Sequence, residues 1–182
     1  MIEDSALKDG LVRTKPRPKQ ALVVDDDEYL RRTEVQLLKF AGWEVITAGT
    51  FLQAWQIINQ GTRPDVAVVD WKFPYAFDKK EIELIGEPVN KDFYLEKGED
   101  VCGKGVLRLL AERSPDTGLI LCTVLDDKKS LDEEVNQWLI NRWLFSVTKP
   151  FDVDEFLETI DWAFSRRPTL RIPPVGNLSG VS

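Results

Sequence analysis

The sequence predicts an α/β domain: a five-stranded parallel sheet in the order 2-1-3-4-5, helices on both faces, and an insertion after strand three. Two observations carry this. Short valine- and leucine-rich runs alternate five times with segments of helical period, the pattern of βαβ units. Four of the five runs are almost continuously apolar, as strands covered on both faces must be. The 182 residues suffice for one domain with appendages, and no internal repeat is visible.

Each element follows from local signals. "ALVVD" (21–25) reads as a buried strand. Residues 28–41 have helical spacing, with Leu30, Leu37, Leu38 and Ala41 on one face and Gly42 as a left-handed cap. "WEVIT" (43–47) is a second strand; Thr50 caps a helix to about Asn59, followed by Gly61. "DVAVVD" (65–70) is a third strand, ending in aspartate like the first. Residues 71 to about 101 show no clear period. The rhythm resumes with a helix at 105–113, a fourth strand "GLILCT" (118–123) and a helix from a Ser130–Glu133 capping box to about Arg142. A fifth strand "LFSVTK" (144–149) leads to a second capping box, Asp152–Glu155, and a helix carrying Phe156, Leu157, Ile160 and Phe164.

Composition excludes several chemistries. The absence of histidine removes Ser-His-Asp and Cys-His catalysis and histidine metal ligands together. The net charge of −7, with clustered basic residues only in "VRTKPRPKQ" (12–20), argues against nucleic-acid binding by the body of the chain. No apolar run approaches membrane-spanning length, and the start lacks a secretion-signal pattern. Cys102 and Cys122 form no disulfide framework, and a buried free thiol at Cys122 fits a reducing, cytoplasmic setting.

In a doubly wound sheet the ligand site lies beyond the carboxyl ends of the strands, where strand order reverses. With order 2-1-3-4-5, strands one, three, four and five end side by side in Asp25 and Asp26, Asp70, Thr123 and Lys149. Crowded carboxylates repel unless a cation intervenes, and Mg²⁺ takes one or two carboxylates together with phosphate oxygens and water. An aspartate screened by metal can attack phosphorus, while a lysine and a hydroxyl neutralise the phosphoryl oxygens. The pattern reads as a metal seat beside a phosphoryl acceptor.

Taken in order, "LVVDDDEYLRR", "DVAVVDWKFP", "TGLILCT" and "VTKPFDVDEFL" resemble the four signature segments of the receiver domain of two-component response regulators, over about residues 20–165. The resemblance implies Mg²⁺ on Asp25, Asp26, Asp70 and the backbone carbonyl of Lys72, phosphorylation of Asp70, and phosphoryl contacts from Thr123 and Lys149. It implies a cis Lys149–Pro150 bond and no further cofactor. It also implies a sensor histidine kinase or phosphotransfer protein as donor and a downstream protein as reader, and it admits homodimer contacts. Such a module modifies itself and is not a metabolic enzyme.

The expected organisation is an extended arm (1–19), a receiver domain (20–166) and a flexible tail (167–182). No output domain is visible, so the chain is either a stand-alone receiver or an excerpt. The sequence departs from the family in three places. About 25 residues are inserted at 75–99, either as a passive solvated loop or as a lid or docking surface. Ser146 occupies the position of the switch aromatic, with Phe145 one step off and on the opposite face. Val124, not a smaller residue, follows Thr123. Trp138 and Trp143 read as core in preference to partner contacts. Asp27 reads as a helix cap. Two other functions compete: a phosphorylation-independent binding module, and a haloacid dehalogenase-type phosphatase using Asp25 and Asp27.

Overall fold

The computed structural model describes residues 17–88, 102–124, 131, 133–141 and 144–166. Five strands, β1 (Gln20–Val24), β2 (Glu44–Ala48), β3 (Val66–Val69), β4 (Gly118–Val124) and β5 (Leu144–Lys149), form one sheet. Their order is β2-β1-β3-β4-β5 and every pairing is parallel, as the sequence predicts. Six helices are described: α1 (Glu28–Phe40), α2 (Phe51–Asn59), α3 (Lys79–Ile85), α4 (Cys102–Arg113), α5 (Glu133–Ile140) and α6 (Val153–Ser165).

The period-2 alternation of a strand divides the core into two layers. Leu22, Val24, Ala67, Val69, Leu119, Leu121 and Leu144 face a cluster completed by α2, α4 and α5. Ala21, Val23, Val66, Val68, Ile120, Cys122 and Val147 face a second cluster with α1 and α6. Both faces are covered, which explains the uninterrupted apolar runs. Trp138 is buried in the first cluster, as expected, and Cys102 and Cys122 are buried thiols. Phe145 packs with the second cluster while Leu144 faces the first, so Phe145 does lie across the sheet from the face of Ser146.

Local caps fall where the sequence puts them. Asp27 caps α1, accepting from the N–H groups of Tyr29 and Leu30. Thr50 caps α2 and Asp152 caps α6. Gly42 and Gly61 follow their helices at φ +85° and +96°, a region that favours glycine.

Two expectations need correction. Ala41 is exposed: it sits past the last turn of α1, where the chain swings away toward β2. Leu37 and Leu38 of α1 do pack inward, and Glu34, unexpectedly, is buried with them. Residues 75–88 are not a loop without structure; they contain α3, capped by Asp78. Of the arm expected over 1–19, residues 17–19 are described, and they are exposed. Arg17 pairs with Asp65 at 2.6 Å, and the Lys19 ammonium lies over the rings of Trp43 and Phe164. Arm residues 1–16, insertion residues 89–99, Ser130, Arg142, Trp143 and the tail 167–182 lie outside the described residues.

Candidate functional site

The site stands at the carboxyl edge of the sheet because backbone pairing carries each strand one residue beyond its regular end. The Asp25 N–H donates to the Ala48 carbonyl at 3.1 Å, and the Asp70 N–H to the Val24 carbonyl at 2.8 Å. These bonds set Asp25 and Asp70 side by side. Carboxylate oxygens of Asp25, Asp26 and Asp70 lie within 4.8 Å of one another. Lys149, at the end of β5, reaches across to them. Its Nζ is 2.6 Å from Asp25 Oδ2 and 3.3 Å from Asp70 Oδ1. The Lys149–Pro150 bond that follows is cis, as expected.

Backbone N–H groups hold the other oxygen of Asp25 and the same oxygen of Asp70 that faces Lys149. Asp25 Oδ1 accepts the Asp27 N–H at 2.8 Å, and Asp70 Oδ1 accepts the Trp71 N–H at 2.8 Å. Trp71 and Phe73 are buried, whereas Lys72 between them is exposed in the bend leaving the sheet edge. Thr123 lies at the end of β4, wholly buried, and its hydroxyl has no hydrogen-bond partner among the described residues. A buried hydroxyl left unpaired costs roughly 1–3 kcal/mol, so its placement calls for an explanation. Val124, the next residue, is half-exposed at the rim.

The opening of α4 crowds this edge. The Gly103 N–H donates to the Trp71 carbonyl at 3.1 Å. A Cβ on Gly103 would lie 2.3 Å from the Asp70 carbonyl oxygen and 2.9 Å from Trp71 Cα. Only glycine permits this approach, which fixes the backbone just after Asp70.

Electrostatics follow from crowding and burial. Burial raises the Asp70 pKa to about 6, with the Lys149 ammonium opposing and Asp25 assisting. Burial likewise raises Asp26. For Lys149 burial acts downward, but the Asp70 and Asp25 carboxylates outweigh it and raise its pKa. The three carboxylates meet the Lys149 ammonium and remain collectively negative. A compact set of oxygen donors with excess negative charge suits a hard divalent cation such as Mg²⁺. The residues present therefore fit a metal of that class.

The sequence brings together Asp25, Asp26, Asp70 and Lys149 as expected, and buries Thr123 at the same edge. Asp27 does not join them, because its carboxylate is committed to capping α1. Two residues near the site were missed. Glu34 of α1 is 1% exposed, and no nitrogen or oxygen partner reaches its carboxylate oxygens among the described residues. Burial pushes its pKa to about 7, and burial also drives the pKa of the neighbouring Cys122 thiol upward. The signal was there: Glu34 interrupts the i, i+4 row from Leu30 to Leu38. Arg31, also on α1, donates from its guanidinium to the Asp25 carbonyl.

No protein-family model matches the sequence, and no curated protein matches it. Solved structures do match. The receiver domain protein (CheY-like) from Methanospirillum hungatei is 21% identical, with a TM-score of 0.59, over 83% of this chain and 97% of its own. The chain has the receiver-domain fold. The Francisella response regulator 1452 receiver domain is 22% identical at TM-score 0.56, over 84% of this chain and its full length. A receiver domain protein from Clostridium thermocellum is 20% identical at TM-score 0.58, over 81% of this chain and 95% of its own. The carboxyl edge of the receiver fold is thus the edge at which these acidic residues gather.

Proposed function

We propose that the chain is a phosphorylation-switched signalling receiver whose acceptor is Asp70. The observation that carries this is the convergence of Asp25, Asp26 and Asp70 within 4.8 Å, with Lys149 bonded across them and a buried unpaired Thr123 hydroxyl at the same edge.

When bound by Asp25, Asp26, Asp70 and the Lys72 carbonyl, Mg²⁺ supplies charge neutralisation for the carboxylates and the incoming phosphoryl oxygens. The chain's own groups do the rest. Asp70, its other oxygen held by the Trp71 N–H, presents a carboxylate oxygen to phosphorus. An O–P bond forms, and the bond from phosphorus to the donor breaks; for a phosphohistidine donor the imidazole leaves. Lys149 keeps its proton throughout and pairs with the phosphoryl oxygens. The Thr123 hydroxyl, unpaired beforehand, donates to another. Hydrolysis later returns the carboxylate. The donor is a sensor histidine kinase or phosphotransfer protein, and the output passes through a protein partner or homodimer contact. The function is self-modification and not turnover of a metabolite. Such a receiver would act in the cytoplasm, where its kinase donor is found; among the described residues no helix is long and apolar enough to cross a membrane.

The phosphatase reading is disfavoured because Asp27, its required acid, is occupied as a helix cap. The completeness of the acidic set weighs against a purely phosphorylation-independent module.

The test is incubation with acetyl phosphate and Mg²⁺ followed by intact-mass measurement. The native chain gains one phosphoryl group, and both Asp70→Asn and a chelator abolish the gain. Equal phosphorylation of Asp70→Asn refutes the assignment.

A further inference from the structure

The first part of the insertion makes contacts that a passive loop would not need. Helix α2 begins with N–H groups that lack partners within the helix. Two of them are taken where the insertion begins: the Phe51 N–H donates to the carbonyl of Pro74, just before it, at 3.1 Å and the Leu52 N–H to the carbonyl of Tyr75, its first residue, at 3.0 Å. The ring of Tyr75 stacks on Phe51, centroids 5.7 Å apart. Glu81 of α3 then closes the joint. One carboxylate oxygen accepts the Thr50 hydroxyl at 2.6 Å and the other accepts the Phe77 N–H at 2.5 Å.

Glu81 thereby anchors the backbone of Phe77, whose ring lies against Gly49. A Cβ on Gly49 would stand 2.8 Å from Phe77 Cζ and 3.4 Å from an Arg31 guanidinium nitrogen. That same nitrogen donates to the Asp25 carbonyl. The contacts form a continuous series: α3, Glu81, Phe77, Gly49, Arg31, then the backbone of Asp25. Phe77 is more than half exposed, so its position depends on these few contacts.

We propose that Phe77 and Arg31 are positioning residues that couple the docked insertion to the divalent-cation site, so that docking strengthens cation binding. This rests on reading the acidic cluster as a Mg²⁺ seat. Arg31 restrains the carbonyl of Asp25, and the Phe77 ring and the Arg31 guanidinium both border Gly49. Displacing the ring frees the guanidinium and loosens the turn that aims Asp25 and Asp26. Coupling between two equilibria is reciprocal, so Mg²⁺ must in turn tighten the insertion on α2.

The experiment uses the full chain and Mg²⁺ alone. Calorimetric titration compares the native protein with Phe77→Ala and Gly49→Ala; the latter drives the ring away without touching an acidic residue. Hydrogen exchange at the Phe51 and Leu52 amides is followed in the native protein with and without Mg²⁺. Both variants bind Mg²⁺ at least about fivefold more weakly, and Mg²⁺ slows exchange at both amides. Variant affinities within about twofold of native, or exchange unaffected by Mg²⁺, overturn the coupling while leaving the cation site standing. The exchange measurement needs no variant, so it decides even where a substitution impairs folding. A native chain that binds no Mg²⁺ overturns this inference and the cation reading together.

Discussion

At the scale of the residue, Glu34 is a carboxylic acid buried where its type is rarely found. It lies in an apolar layer beside Cys122, and burial lifts its pKa from 4.5 to about 7. The folded state therefore holds this proton more tightly than the unfolded chain. The associated stability is present in full below pH 4.5 and is lost as pH rises through about 7. Asp70, raised from 3.8 to about 6, adds a loss of the same sign. Glu34→Gln should unfold in denaturant like the native chain well below pH 4.5 and be more stable at pH 8, by on the order of 3 kcal/mol. A difference independent of pH would show that the charge of Glu34 is not the cause. The sequence gives the aspartates readily, since each terminates an apolar strand, but Glu34 was obscured by the leucines around it. Arg31 was obscured because its target is a backbone carbonyl, which no residue pattern reveals.

At the scale of the element, strands and long helices were legible because burial imposes a period on them. The helix α3 was not. It has seven residues, none fully buried, and only Ile82 and Ile85 pack against the first core cluster, a stripe too short to show a period. It is held by Asp78, which caps it by accepting the Glu81 N–H, and by the bridge from Glu81 to Thr50 across 31 positions, a tertiary contact without a local signature. Helix α4 makes the opposite case: the glycine at its start has a reason visible only in three dimensions. In Gly103→Ala the new methyl group meets backbone and not a movable side chain. We expect destabilisation of about 1–3 kcal/mol in chemical denaturation, the usual cost of overpacking. Acetyl phosphate should also label this variant more slowly than the native chain, because the peptide following Asp70 must shift. Native stability and labelling rate in Gly103→Ala would mean that α4 does not fix the acceptor.

At the scale of the whole molecule, strand order converts a sequence pattern into a site. Asp25 and Lys149 are 124 positions apart, yet the order β2-β1-β3-β4-β5 sets their carboxylate and ammonium 2.6 Å from each other. That convergence was readable because only a handful of topologies suit five parallel strands, and all the polar strand ends then fall on one edge. The insertion's route back onto α2 was not readable, since nothing in its composition names the helix it caps. The central claim is that this edge makes Asp70, and no other carboxylate, a nucleophile toward phosphorus. Its most direct test is to label the chain with acetyl phosphate and Mg²⁺, trap any acyl phosphate by borohydride reduction, and locate the reduced residue by peptide mass analysis. The account predicts reduction at Asp70 alone; reduction at Asp25, or at no aspartate, would contradict it.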